Sequence, residues 1–195
     1  MPRVALLVLL AALPHPALAH ITGVASGFGA GFAHPLLGPD HLVAMVAVGL
    51  WGAQLGSPAI WVLPIAFPLV MAVGGMVGIS GAEIPFPELI IALSGVALGL
   101  VVALRVRIPF WAAAIVVATF AFFHGYSHGK EMPVAADAES FAIGFVVATG
   151  LLHLGGITIG TMDRHRVGST AIRCLGAVIA AVGCFFVAST LGAIG

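Results

Sequence analysis

Between His41 and Ala82 the chain carries no formally charged side chain. At about 1.5 Å of helical rise per residue, and with a bilayer hydrocarbon core about 30 Å thick, such a run is long enough for two membrane crossings. Gly56-Ser57-Pro58 is the natural break between them. The rest of the chain is similar, with 61% hydrophobic and 7% charged residues, where a soluble domain would have about a quarter charged. Lipid is therefore the expected solvent. Seven basic residues balance seven acidic ones, so neither a cationic surface for nucleic acid nor an acidic tail is expected. At roughly 20 residues per span, 195 residues leave no room for a soluble ATP-hydrolysing domain. No Gly-rich loop ending in GK[ST] occurs, so any transport should run on gradients.

The N-terminus, Met1-Pro2-Arg3 followed by an apolar stretch from Val4 to Leu13 and then Ala17-Leu18-Ala19, has the form of a cleavable secretory signal. Cleavage after Ala19 would make His20 the mature N-terminus; an uncleaved first helix is the alternative. Six spans are expected near Asp40 to Leu55, Ala59 to Ile79, Glu88 to Leu104, Pro109 to His128, Ser140 to Thr161 and Ser169 to Ala193. The fold class is thus all-α: a polytopic membrane helix bundle forming one domain, residues 20–195, after a signal peptide at 1–19.

Charge gives the orientation, because short cytoplasmic loops are enriched in Lys and Arg. With His20 outside, Arg105 and Arg107, and likewise Arg164, Arg166 and Arg173, fall on the cytoplasmic side; Glu83, Glu88, Glu131, Asp137 and Glu139 fall opposite with one Lys130. The expected location is the bacterial inner membrane, with both mature termini periplasmic. Before the first span, Gly23, Gly27 and Gly31 recur every four residues. They suggest either a smooth helical stripe that another helix can approach closely, in a periplasmic or re-entrant segment, or a flexible linker. Cys174 and Cys184 lie ten residues apart in one apolar segment, about 15 Å along a helix, too far to bridge; small core residues are the expectation.

Eight histidines among so few charges call for an explanation, since ionisable groups at membrane depth are costly and tend to face the bundle interior. The first constellation is His34-Pro35-Leu36-Leu37-Gly38-Pro39-Asp40-His41. Pro35 disfavours helical backbone at His34, Gly38-Pro39 suits a helix start, and the intervening loop can fold His34 back towards Asp40 and His41. Two imidazoles and a carboxylate suit a divalent transition ion. Alternatively Asp40 only supports the helix N-terminus.

In the second constellation, His124, His128 and Glu131 stand at i, i+4 and i+7, one stripe of a helix. Gly125 and Gly129 form an adjacent small stripe. An i, i+4 histidine pair can hold one metal ion, although the HExxH metalloprotease pattern is absent; a hydrogen-bonded pair at a helix end is the plainer reading. Glu88 cannot be far outside the lipid and could join both motifs at one cation site. His153, deep in the fifth span, is either hydrogen-bonded to a neighbouring helix or a lower relay for an inward-moving ion. His20, if exposed by cleavage, would offer its free amine and imidazole together. His165, flanked by two arginines, reads as a loop residue.

The run HPLLGPDH followed by LVAMVAVGLW, with FHGYSHGKE, resembles the HupE/UreJ family of nickel permeases associated with hydrogenase and urease maturation. The likeness also includes a histidine directly after the signal, Pro-Phe-Pro-Glu before the third span, and Leu151-Leu152-His153. It implies metal ligation by His34, Asp40, His41, His124, His128 and Glu131, with Ser127 where alanine is common. It further implies that Glu88 is the acidic residue at the head of the third span and that Phe67 is an aromatic residue near the path.

The expected function is import of Ni2+, or Co2+, from periplasm to cytoplasm by a secondary carrier or facilitator. Its partners are the ion and the lipid bilayer, and it keeps no permanently bound cofactor. The alternatives are a membrane-embedded metalloenzyme in which Glu131 or Glu88 acts as base beside a retained metal, and a haem protein with His124 and His153 as axial ligands.

Overall fold

The structure, a computed structural model, describes residues 27–131, 138–164 and 166–192. The expected signal peptide, His20, Gly23 and His165 lie outside the described residues. Seven α-helices follow one another: α1 (Phe28–Leu37), α2 (Pro39–Leu55), α3 (Ala59–Ile79), α4 (Pro87–Ala103), α5 (Phe110–Glu131), α6 (Ala138–Gly160) and α7 (Arg166–Thr190), with a 3-10 turn at Thr161–Arg164. There is no strand among the described residues. The chain is an all-helical, multi-pass membrane protein. By length and composition α3, α5, α6 and α7 can each cross a membrane, and the bent pair α1–α2 can count as a fifth span; the apolar α4 is shorter.

Each expected span is occupied by a helix, but the sequence could not say which is central. That helix is α2, which touches all six others, and Ala44, Met45, Ala47, Val48, Leu50 and Trp51 are wholly buried along it. Peripheral helices turn apolar side chains outward instead. Trp61, Ile65, Leu69, Val73 and Met76 run as an exposed stripe down α3, as expected where lipid rather than water meets the surface. Cys174 and Cys184 also lie on the exposed side of α7 and are free thiols. This corrects the expectation that they are core residues: α7 packs inward through Gly168, Ile172, Gly176, Ile179 and Gly183.

Small residues set the helix pairs. A Cβ at Gly125 would overlap the Met71 carbonyl, one at Gly74 the Phe122 carbonyl, and one at Gly31 the Phe141 carbonyl. α3 therefore lies nearly backbone to backbone on α5, and α1 on α6, the packing that membrane helices favour. This last contact explains a second correction. His34 was expected to be non-helical because Pro35 follows it, yet α1 continues through Pro35 to Leu37. Pro35 removes one backbone donor, and close packing of α1 on α6 around Gly31 and Gly144 outweighs that local preference. The chain then turns by 83° into α2, with Gly38 extended and Pro39 opening the helix.

The connections carrying Arg105 and Asp163 meet at one end of the bundle, where Arg105 Nη2 contacts Asp163 Oδ2 at 2.6 Å. Trp51 Nε1 donates to the Val106 carbonyl and Gln54 Nε2 to that of Val102 at the same end. At the other end, the buried hydroxyl of Tyr126 donates to the Ala82 carbonyl at 2.7 Å and accepts from Ile84 N–H at 2.9 Å. That clamp holds the turn before Pro87 and Glu88, in which Phe86 sits in the left-handed region at φ 58°.

Candidate metal centre

Three helix ends meet opposite the Arg105 end. The C-terminal turns of α5 bring His124, His128 and Glu131, the N-terminus of α2 brings Asp40 and His41, and α1 lays His34 across them. His34 Nε2 and His128 Nδ1 share a hydrogen bond of 3.0 Å. The His41 ring packs on both α5 histidines, with centroids 4.5 Å from His128 and 4.9 Å from His124. One ligand atom each from His34, His128 and Glu131 lie within 4.8 Å of one another. A tetrahedral ion with metal–nitrogen bonds of about 2.1 Å needs ligand atoms about 3.4 Å apart, so modest side-chain rotations would close the group around a cation.

Hydrogen bonds also decide which nitrogens are available. His41 Nδ1 donates to Asp40 Oδ1 at 2.9 Å, and His124 Nδ1 donates to the Phe120 carbonyl of its own helix at 2.8 Å. Each proton placed on Nδ1 leaves Nε2 with a bare lone pair, and both Nε2 atoms are buried without a partner, as is His128 Nε2. A carboxylate or carbonyl behind an imidazole is the usual means of orienting a metal ligand. These rings are held with donors aimed inward, in a bundle whose other interior groups are nearly all apolar.

The acidic residues sit at the mouth. Glu131 and Glu88 are exposed, while Asp40 is held by His41. Ser127 donates to Glu88 Oε1 at 2.6 Å, so its hydroxyl tethers α4 to α5. Below the mouth, Phe67 of α3 stands edge-on between His124 and His153, with ring centroids 5.6 and 5.3 Å away. Phe145 covers His128 from α6 at 4.6 Å.

The sequence model of the family described as HupE / UreJ protein matches residues 6–186. Protein HupE of Rhizobium leguminosarum bv. viciae is 45% identical over 172 residues, 88% of this chain and 90% of that protein. The chain belongs to the HupE/UreJ family. No solved structure matches it.

In this HupE/UreJ chain every described residue of the two motifs comes to one end of the bundle, although the motifs lie about 90 positions apart in sequence. His34 reaches the cluster through His128, with no bond to Asp40 or His41. Glu88 arrives through Ser127, and His153 lies below Phe67. Thr149 escaped notice in the sequence; it lies one turn from His153 on α6 and is fully buried. Its spacing of four from a deep histidine was the available signal, but threonine is too common in apolar helices to stand out. Asp40→Asn tests the orienting bond. The amide can donate to His41 Nδ1 and so put the proton on the wrong nitrogen, and Ni2+ affinity should fall by about 10–100-fold, read by equilibrium binding to the purified protein. Unchanged affinity would remove Asp40 from the centre.

Proposed function

We propose that this chain is a carrier, not an enzyme, that moves a divalent transition-metal ion, Ni2+ first and Co2+ second, from periplasm to cytoplasm to supply metalloenzyme maturation. The observation that carries the reading is the grouping of His34, His128 and Glu131 beside His41 and His124, whose Nε2 atoms are bared and buried. In this reading residues 1–19 are a cleaved signal, six spans cross the inner membrane with α1 as a re-entrant segment, and both mature termini are periplasmic. The His/Glu end is then the outer mouth. Asp40, Glu88 and Glu131 gather cations, imidazoles replace part of the hydration shell, and a negative-inside potential contributes about 4.6 kcal/mol per divalent ion per 100 mV, twice the single-charge value. His20 would add a chelating pair at the mouth.

Vesicles containing the purified protein and challenged with Ni2+, Co2+ and Zn2+ test the reading. Uptake of Ni2+ ahead of Zn2+ is expected; no uptake of any ion, with metal retained through purification, would favour a metalloenzyme instead. Neutral imidazole binds metal and imidazolium does not, so uptake should fall as external pH drops from about 7.5 to 5. A flat profile would count against imidazole ligation.

A further inference from the structure

The core holds further polar atoms that the outer cluster does not use. His153 is 1% exposed and Thr149, one turn earlier on α6, is 0% exposed. Thr149 Oγ1 and both ring nitrogens of His153 lack a hydrogen-bond partner. A buried polar group left unmet costs about 1–3 kcal/mol, and a threonine hydroxyl in a helix can bond the carbonyl one turn back, as the exposed Thr158 and Thr119 do on their own helices. Thr149 does not. Residues four apart share one helix face, so the two orphaned side chains point to the same side of α6.

Across from them, α3 contains Pro64 and Pro68. Pro68 has no N–H, so the Pro64 carbonyl loses its helical donor. That carbonyl interacts with the His153 ring, short of full hydrogen-bond geometry for either nitrogen.

We propose that Thr149 and His153 form an inner station for a divalent transition ion, with the Phe67 ring standing between His153 and His124 of the outer cluster. The inference rests on the carrier reading and adds a selectivity step to it. The mouth offers carboxylates, which suit Mg2+ and Ca2+ as well as Ni2+. The inner station offers an imidazole and a hydroxyl in apolar surroundings, which compensate poorly for the dehydration of a hard ion and better for a borderline one. Lacking a carboxylate, it holds the ion loosely enough to release it onward, as conduction requires.

The test uses the full chain, in detergent for Co2+ and Ni2+ binding and in lipid vesicles for Ni2+ uptake, with His153→Gln and the isosteric Thr149→Val. In both variants the outer-site affinity should equal that of the wild type, the second, weaker Co2+ equivalent should disappear, and Ni2+ uptake should fall by about tenfold or more for His153→Gln. Wild-type uptake by both variants would overturn the station. So would an outer-site affinity that falls in proportion to uptake, which would make His153 a support for the cluster above it. A wild-type protein that carries no ion would sink the carrier reading, and the Co2+ count would still decide the inner station.

Discussion

Replacing His128 with alanine should reduce Ni2+ uptake by at least about 100-fold, beyond the 10–100-fold that loss of an outer-shell partner costs. His128 is the residue on which the cluster converges. It bonds His34, packs on His41, is covered by Phe145 and belongs to the group that also contains Glu131. Truncation removes a ligand and also the contact that holds His34 over the mouth. Equilibrium Ni2+ binding should fall together with uptake, whereas His153→Gln should separate the two. A His128→Ala protein that folds, binds and transports like the wild type would place the path elsewhere in the bundle.

Gly125→Ala should cost stability and uptake together. The added Cβ would overlap the Met71 carbonyl, a backbone atom that cannot rotate away, so α3 and α5 must separate. Overpacking of this kind costs about 2–3 kcal/mol, and it displaces His124 and His128 on either side of the substitution. Gly155→Ala provides the contrast, because a Cβ there meets nothing within 4 Å; it should be neutral or gain up to about 1 kcal/mol from helix propensity. Unfolding followed in detergent reads both. Equal stabilities would mean that the α3–α5 interface yields more readily than its geometry implies.

The members of the candidate cluster could be picked out in the sequence, because residues on one helix are joined by periodicity. His124, His128 and Glu131 share a stripe wherever α5 lies. What joins that stripe to His34 and His41 is helix packing over about 90 positions, which the sequence offered only through the expectation that Glu88 could join both motifs at one cation site. The fold was legible in the same uneven way. Charge-free runs marked helices to within a few residues, since the cost of charge in lipid is paid locally, by each segment. The centrality of α2, the outward face of the cysteines and the survival of α1 through Pro35 depend on which helix packs on which, and neighbouring residues carry little of that information.

Helical segments, their solvent and the chemistry of the motifs follow from composition and spacing, because these are properties of single segments. The tautomers of His41 and His124, the Ser127–Glu88 tether, the edge-on placement of Phe67 between His124 and His153, and the orphaned Thr149 exist only once α1 to α6 are assembled. A hydrogen bond or a ring contact between distant residues depends on where the backbones lie, and in this bundle close approach at residues such as Gly31, Gly74 and Gly125 sets those positions.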